Sequence, residues 1–513
     1  MKRLIVFCDG TWNTPEQDEL ELPAPTNVIR LRNALARIDA NNQEQRIYYH
    51  TGVGTEGNFL QRTAGGMYGA GLGHNIMSAY AWLGANYQPG DLIYLFGFSR
   101  GAFTARSANG MLNLTGLLDL RGLDPAESWM RVQTAYDKAY RQHAQNWRPV
   151  AWPAFHDTAT PVEFIGVWDT VGALGIPDDL ALLNLIDNAD NWRFHKTSLG
   201  ENVRFARHAI ALDERRASFT ATLWTQPDSD IPLPNSNRVK QLWFPGVHSD
   251  VGGGYLECGL SDIALKWMID EATAAGLAFE PAMTVQIKPD PRAPKHDSLR
   301  GVFKLLRTRP RAIPGFDDET IHHGAVDRHY TPPITEAPYH PTERLTVGAT
   351  SQQAVYAVER WNSLGLFLEA GATYRFTAKG EWIDRDMPCG PKGMDDGKFH
   401  FGEIAHMIGS VAGGLEKAFQ AITHNPKADF WGTRRVEEMP WFSLVGVIAN
   451  DGPTAGDSVL NDGSTSAHQV FLIGDGCELK VEEPGYLFAF ANDAWSFYDN
   501  NRGSMSLTVQ RIS

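Results

Sequence analysis

No stretch of this sequence is apolar for long enough to cross a membrane. A membrane-spanning helix needs roughly 18 or more consecutive apolar residues, and the 513 residues contain no such run. The N-terminus carries Lys2 and Arg3 before a short apolar run that already ends at Asp9, whereas the apolar segment of a signal peptide spans about 7–15 residues. We therefore expect a buried first strand there, with neither a signal peptide nor a transmembrane helix.

Cysteine and positive charge are also scarce. The four cysteines, at positions 8, 258, 389 and 477, include no C-x-x-C pair. This spacing is typical of a reduced compartment and offers no zinc site. The formal net charge is -14, and nucleic-acid binding needs clustered Lys and Arg. The composition therefore excludes nucleic acid as a partner and predicts a cytoplasmic location in the producing cell.

The length and the residue patterns predict two domains. A chain of 513 residues is too long for one ordinary core. Residues 1–345 alternate strand and helix patterns, which predicts an α/β fold with a mainly parallel sheet. Residues 346–513 show half-buried strand patterns, which predict an all-β sandwich with a helical insertion at about 404–422. The irregular region at about 289–345 contains three arginines, and these predict either a patch for anionic lipid headgroups or a solvated face; they are Arg307, Arg309 and Arg311.

The central motif of the first domain is Gly97-Phe-Ser-Arg-Gly101. It follows the apolar run Leu92–Phe96, which predicts a buried strand, and it precedes small residues typical of a helix start. A strand that turns at once into a helix leaves little room around its tip, so the residues two before and two after must be small. The motif therefore predicts that Ser99 is a nucleophile; the alternative is a serine that only caps the helix.

Two further polar residues follow predicted buried strands, and with Ser99 they form a candidate catalytic triad. A serine hydroxyl needs an adjacent base, usually a histidine oriented by a carboxylate. Asp169 and His248 follow Ser99 in the chain order of α/β-hydrolases, which is Ser, Asp, His. Asp250 and Asp9 are rival acids, but Asp250 is too close in sequence to His248 to orient its ring easily.

Acyl transfer also needs hydrogen-bond donors directed at the oxyanion. The backbone N–H group of Arg100, directly after the nucleophile, is expected to supply one of them. The second is expected from the loop after the first strand, at Gly10 or Thr11. This chemistry requires no cofactor and no metal.

Six motifs of the first domain resemble a known family. They are Phe7-Cys-Asp-Gly-Thr-Trp-Asn13, Tyr49-His-Thr-Gly-Val-Gly54, Gly97-Phe-Ser-Arg-Gly-Ala102, Gly166-Val-Trp-Asp-Thr-Val171, His208 with Asp213-Glu-Arg-Arg216, and Gly246-Val-His-Ser-Asp-Val-Gly-Gly-Gly-Tyr255. Together they resemble the α/β-hydrolase domain of type VI secretion phospholipase effectors of the first lipase-effector family. The resemblance implies a Ser99, Asp169 and His248 triad, a phospholipid acyl ester as substrate, a secretion-apparatus component and an immunity protein as partners, and delivery to the target-cell periplasm.

The second domain resembles the calcium-dependent, galactose-binding PA-IL (LecA) lectins. The similarity lies in Tyr374–Trp382, Gly390-Pro-Lys-Gly393 and Asn492-Asp-Ala-Trp-Ser-Phe-Tyr-Asp-Asn-Asn-Arg-Gly503. It implies calcium bound by the side chains of Asp493, Asn500 and Asn501 and the carbonyl of Phe497, and it implies a glycan partner. Such oxygens suit calcium, but an Asx-rich turn between strands is the alternative.

The sequence thus predicts a serine esterase of the lipase type that acts on a lipid ester or at a membrane surface. Two alternatives remain open: a glycan-binding protein whose hydrolase domain is a scaffold, and an esterase for carbohydrate or small soluble esters. The leucine-rich stretch at 175–192 predicts a lid or acyl-binding surface, or ordinary core.

Overall fold

The computed structural model describes most of the chain, and contacts divide it into two units. The described residues are 1–10, 18–19, 22–50, 67–143, 152–171, 199–226, 231–300, 307–394, 435–436, 438–450, 468–495 and 497–513. Unit 1 comprises 1–306 and 319–339, and unit 2 comprises 307–318 and 340–513. The predicted boundary at 345 lies close to the division at 339, but the segment 307–318 belongs to unit 2. Thr11, the 175–192 stretch and the 404–422 insertion lie outside the described residues.

A six-stranded parallel sheet forms the centre of unit 1. Its strands are β1 (Arg3–Cys8), β2 (Gln45–His50), β3 (Leu92–Phe98), β4 (Val162–Trp168), β5 (Val203–Ala211) and β6 (Val239–Phe244). They lie in the order β6-β5-β4-β3-β1-β2, and every neighbouring pair is parallel. This arrangement confirms the predicted α/β class. All six carboxyl ends therefore lie along one edge of the sheet.

Helices cover both faces of this sheet. They are α1 (Asn27–Ala34), α2 (Met67–Asn86), α3 (Arg100–Thr115), α4 (Pro125–Ala135) with the π-helical turn Tyr136–Tyr140, α5 (His248–Gly252), α6 (Gly259–Ala274), α7 (Pro281–Thr284) and α8 (His323–Tyr330). In β1, Leu4 and Val6 belong to the core on the side of α2 and α3, whereas Ile5 and Phe7 belong to the core on the side of α1 and α6. Successive strand residues point to opposite faces, so β1 is buried on both sides.

The strand order reverses direction between β1 and β3. The chain passes from β1 to the edge strand β2 and then returns to the other side of β1 to form β3. Ligands of open α/β sheets bind beyond the carboxyl ends of the strands at such a reversal of direction. The residues that follow β1 and β3 therefore flank the expected site. Within the described ranges, no helix combines the length and the apolar character that a membrane crossing needs.

Unit 2 contains two antiparallel sheets that share one hydrophobic core. Its strands are β7 (Thr350–Tyr356), β8 (Asn362–Leu368), β9 (Thr373–Asp384), β10 (Met387–Cys389), β11 (Leu444–Ala449), β12 (Gln469–Leu472), β13 (Gly476–Lys480), β14 (Gly485–Ala491) and β15 (Asn501–Arg511). One sheet has the order β7-β15-β9-β10, with β13 also paired to β9, and the other has the order β8-β14-β11-β12. The side chains of Val355, Phe376 and Leu507 from one sheet and Leu366 and Leu444 from the other lie in the same core.

Two of the three arginines predicted to form a basic patch or a solvated face do neither, whereas Arg307 is half-buried. Arg309 and Arg311 are buried, with 4% and 9% of their surface exposed. The guanidinium of Arg309 lies 3.3 Å from Nδ1 of the buried His468. These two arginines form neither a surface for lipid headgroups nor a solvated face.

Candidate active site

Ser99 occupies a sharp turn between β3 and α3. Its φ is 57°, a conformation that non-glycine residues rarely adopt and that accumulates at functional sites. A Cβ atom on Gly97 would overlap the backbone of Gly101, and one on Gly101 would overlap the carbonyl groups of Cys8 and Asp9. The two glycines of the motif are therefore required by backbone contacts. The turn is also anchored, because the Ser99 N–H group donates to the carbonyl of Trp168 at 3.1 Å.

Asp169 and His248 form a buried hydrogen-bonded pair. Nδ1 of His248 lies 2.5 Å from Oδ2 of Asp169. The other carboxylate oxygen of Asp169 accepts the N–H group of Ala211 at 2.9 Å, and the residue is fully buried with a φ of 35°. Asp169 follows β4 and His248 lies four residues after the end of β6. The parallel sheet therefore brings these two predicted residues together, although 79 positions separate them.

The His248 ring lies against Phe98, the residue that precedes Ser99. Its centroid is 4.6 Å from that of Phe98 and 5.0 Å from that of Phe219, which meets it edge-on. Burial lowers the pKa of His248, while the hydrogen bond and the charge of Asp169 act in the opposite direction. A buried, neutral imidazole whose Nδ1 is bonded to a carboxylate presents Nε2 as the acceptor for a proton.

The motif Asp213-Glu-Arg-Arg216 holds the loop that carries His248. Oδ2 of Asp213 accepts the Gly246 N–H group at 2.7 Å, and Oε2 of Glu214 accepts the His248 N–H group at 3.3 Å. Glu214 is also bonded twice by the Arg216 guanidinium, at 2.9 and 2.8 Å. Glu214 and Arg216 thus form a buried ion pair. The Arg216 guanidinium lies 3.5 Å from the ring centroid of Phe219, the same ring that contacts His248.

A second histidine supports the Asp169 loop. His208 is fully buried in β5, and its Nε2 atom accepts the Thr170 N–H group at 3.1 Å. The sequence around His208 looks helical, but the structure places it in a strand. The alternating burial that would have marked a strand is obscured by Arg204 and Arg207, which pair with Glu163 and Glu271 from distant parts of the chain.

The two rival carboxylates have other partners. Asp250 accepts the Val247 N–H group at 3.0 Å and contacts Nδ1 of His296 at 2.6 Å, so it holds the loop that carries His248. Asp9 accepts the hydroxyl groups of Thr26 and Tyr49, at 2.8 and 3.0 Å. Neither carboxylate is hydrogen-bonded to His248 in the described residues.

Of the two described residues predicted to supply oxyanion donors, Arg100 lies at a helix N-terminus, whereas the N–H group of Gly10 is already hydrogen-bonded. Arg100 is the first residue of α3, so its N–H group points out of the helix N-terminus, where the helix dipole favours negative charge. The Gly10 N–H group donates to Oδ1 of Asp9 at 2.7 Å. A role for Gly10 in the oxyanion hole remains a prediction that requires this bond to break.

The predicted calcium ligands of unit 2 lie close together. Oδ2 of Asp493 accepts Nδ2 of Asn501 at 2.9 Å, and the carbonyl of Phe497 accepts the Asn500 N–H group at 3.2 Å. Oδ1 of Asn500 and Oδ1 of Asn501 are buried without a hydrogen-bond partner. In the described residues no group of three or more His, Cys, Asp or Glu is placed to bind a metal. A cation here would therefore depend on amide and carbonyl oxygens, which fit calcium.

Comparison with curated proteins and solved structures found distant relatives. An uncharacterized protein of Saccharomyces cerevisiae is 24% identical over 59% of this chain and 60% of its own length. An uncharacterized protein from Pseudomonas aeruginosa is 20% identical with a TM-score of 0.33, over 56% of this chain and 49% of that one. A Tle1 effector bound to the VgrG spike of the type VI secretion system is 20% identical with a TM-score of 0.29, over 50% of this chain and 51% of that one. The chain thus spans 49–60% of the length of these relatives.

A smaller similarity involves a lectin domain. The N-terminal domain of EclA, described as a PllA-like lectin, is 16% identical with a TM-score of 0.18, over 31% of this chain and 94% of that one. The family model for the catalytic domain of Tle1-like phospholipase effectors of the type VI secretion system matches residues 2–271. That range covers more than half of the chain and contains Ser99, Asp169 and His248. The chain therefore belongs to the family of Tle1-like type VI secretion phospholipase effectors.

Proposed function

We propose that unit 1 is a serine hydrolase that cleaves phospholipid acyl esters with Ser99, His248 and Asp169 as its catalytic triad. The observation that carries this proposal is the buried Asp169–His248 pair, with the His248 ring against Phe98 beside the strained Ser99 turn. The chain order Ser, Asp, His and the turn between a strand and a helix are those of α/β-hydrolases. Membership of a phospholipase effector family supports the lipid substrate.

The first half of the reaction forms an acyl-enzyme. Nε2 of His248 takes the hydroxyl proton of Ser99 while Oγ attacks the ester carbonyl carbon. Asp169 stabilises the imidazolium that results. The negative charge on the carbonyl oxygen develops at the N-terminus of α3, where the Arg100 N–H group is the expected donor. As the tetrahedral intermediate collapses, His248 returns the proton to the leaving alcohol of the lysophospholipid.

The second half of the reaction releases the fatty acid. His248 removes a proton from water, and the hydroxide attacks the acyl carbon of the Ser99 ester. The tetrahedral intermediate expels Ser99 Oγ, which regains its proton from His248. The proposal needs no cofactor, because the three side chains and the backbone donors supply each proton and each charge.

The biological setting follows from the same family. We propose that the protein acts as an antibacterial effector that a type VI secretion apparatus delivers to the periplasm of a target cell. A component of that apparatus and an immunity protein in the producing cell would then be its partners. Protection of sensitive cells by a co-expressed neighbouring gene product would test the immunity protein.

The nucleophile is tested with the purified full chain and two serine variants. Ser99→Ala is expected to abolish hydrolysis of phospholipid vesicles and of a p-nitrophenyl ester. Ser128→Ala, on the partly exposed face of α4, is the matched control and is expected to keep full activity. A fluorophosphonate probe is expected to label the wild-type protein and not Ser99→Ala. Retained turnover in folded Ser99→Ala would refute Ser99 as the nucleophile. Wild-type activity on soluble esters but not on phospholipid vesicles would refute the lipid substrate.

We also propose that unit 2 binds calcium through Asp493, Asn500, Asn501 and the carbonyl of Phe497. The observation in favour is the pair of buried amide oxygens without partners, at Asn500 and Asn501, since buried polar atoms are rarely left unpaired. A hard cation prefers oxygen ligands of these types. Calcium is expected to raise the unfolding temperature of the full chain by mass action, and Asp493→Ala is expected to remove that rise.

A further inference from the structure

A second carboxylate faces the proposed calcium ligands from the neighbouring strand. Asp384 is the last residue of β9, and its Cα partner across the antiparallel pair is Asn501, the first residue of β15. Nδ2 of Asn500 lies 3.4 Å from Oδ1 of Asp384, and Nδ2 of Asn501 lies 2.9 Å from Oδ2 of Asp493. Each carboxylate thus receives the amide nitrogen of one asparagine.

The side-chain oxygens of Asn500 and Asn501 make no hydrogen bond. Their Oδ1 atoms are buried and have no hydrogen-bond partner, and Asn501 is only 4% exposed. An amide oxygen and an amide nitrogen occupy nearly the same shape, so a half-turn of the side chain exchanges them. After that half-turn both amide oxygens would face carboxylate oxygens, and that of Asn501 would also face the Ala357 carbonyl, which Nδ2 contacts at 3.3 Å. A bound cation would stabilise such a group of oxygens.

We propose that Asp384 is a ligand of the same calcium ion, so that the site contains two carboxylates, two amide oxygens and one backbone carbonyl. This inference rests on the calcium site proposed above and adds a residue to it. Five ligand groups with two carboxylates that can bind through one or both oxygens supply the six to eight oxygens that calcium takes. The two negative charges balance the charge of a divalent cation.

An indole N–H group helps to orient the carboxylate of Asp384. Nε1 of Trp441 lies 3.4 Å from Oδ2 of Asp384. The neighbouring Asp386 is different, because its side chain is 89% exposed and lies 4.0 Å from the Arg385 guanidinium. Asp386 is therefore a matched control carboxylate two residues away.

The test measures cation binding in the EDTA-treated full chain. Calcium is titrated by calorimetry, and terbium is titrated by luminescence excited through nearby tryptophans such as Trp441. We expect Asp384→Asn to weaken both affinities by about tenfold or more, because the number of charged ligands sets calcium affinity over several orders of magnitude. Asp386→Asn is expected to bind both ions as the wild-type protein does.

The outcomes separate the two proposals. If the wild-type protein binds neither ion, the calcium site itself is refuted and the role of Asp384 falls with it. If the wild type binds and Asp384→Asn binds equally well, the site stands and Asp384 is not a ligand. Near-UV circular dichroism in EDTA reports whether each variant is folded. Asp384→Ser is made in parallel as a second neutral replacement, and wild-type affinity in either folded variant would overturn the inference.

Discussion

Asp169 divides its two carboxylate oxygens between a backbone group and His248, the proposed catalytic base. One oxygen accepts the Ala211 N–H group and the other contacts Nδ1 of His248. The first bond fixes the carboxylate, and the second fixes the tautomer of the imidazole. Because each carboxylate oxygen of Asp169 makes one of these contacts, replacing an oxygen by an NH₂ group would directly change the hydrogen bond to His248.

Replacement of Asp169 by asparagine is therefore expected to lower kcat by about four orders of magnitude at neutral pH, as in other serine hydrolase triads. The amide can present an NH₂ group to Nδ1 and favour the wrong tautomer of His248. Steady-state kinetics on a soluble ester would measure the loss. Asp297→Asn, at a half-exposed surface carboxylate, is the control and is expected to leave kcat unchanged. A fall of less than tenfold in Asp169→Asn would contradict the proposed role.

If His248 is the catalytic base as proposed, its protonation is expected to set the pH dependence of activity. Burial lowers its pKa from the ordinary value of 6.5, and the nearby Arg216 charge acts in the same direction. The base works only when it is unprotonated, and protonation occurs below its pKa. The rate constant kcat/KM is therefore expected to be constant near pH 7 and to fall only below pH 6.5. A profile of kcat/KM against pH with an uncharged ester would show this limb, and a midpoint above pH 7 would contradict it.

At the scale of elements, the loop before α5 depends on one buried ion pair. The side chain of Glu214 is fully buried, and that of Arg216 is 8% exposed. Glu214 also accepts the His248 N–H group and the Ser298 hydroxyl, at 3.3 and 3.0 Å. Removal of one partner of such a pair leaves the other charge buried and uncompensated, which typically costs 3–5 kcal/mol.

Glu214→Ala is accordingly expected to reduce the free energy of unfolding of unit 1 by about 3–5 kcal/mol. Urea denaturation followed by tryptophan fluorescence would measure the change. The control is Glu127→Ala on α4, where the pair with Arg131 has a 44% exposed carboxylate side chain. Exposed pairs contribute about 0–1 kcal/mol. A similar loss of unfolding free energy in both variants would therefore show that the burial of Glu214 does not cause the destabilisation.

Elements with a strong internal pattern can be predicted from the sequence alone. The apolar strands β1, β3 and β4 and the glycine spacing around Ser99 are local features, and each implies its own structure. Ser99, Asp169 and His248 could be proposed together because each follows a strand, β3, β4 or β6, and because parallel strands end on one edge. Their proposal needed no knowledge of distant contacts.

Other elements depend on contacts that the sequence does not reveal. Strand β5 reads as a helix because Arg204 and Arg207 break its pattern, and their carboxylate partners lie 41 and 64 positions away. Strand β7 is largely polar, with only alternate residues such as Ser351 and Val355 buried, so it has no apolar run to recognise. Asp384 could not be recognised as a candidate ligand from the sequence, because strand register places it beside Asn501, which is far away in the chain.

At the scale of the whole molecule, the net charge is expected to affect binding to the proposed lipid surface. The chain carries a formal net charge of -14. Arg309 and Arg311, which had offered a cationic patch, are buried. An acidic protein is repelled by an anionic bilayer, and salt screens this repulsion with a Debye length of about 8–10 Å at ordinary ionic strength.

Hydrolysis is therefore expected to be faster on zwitterionic phosphatidylcholine vesicles than on vesicles rich in an anionic phospholipid at low salt, because fewer protein molecules reach the anionic surface. Raising the salt concentration is expected to narrow the difference by increasing the rate on the anionic vesicles. Fatty-acid release measured across a salt series would show this, with an uncharged soluble ester as the control whose rate is expected to stay constant. A rate that is highest on anionic vesicles at low salt would instead require a local cationic surface that outweighs the net charge of the chain.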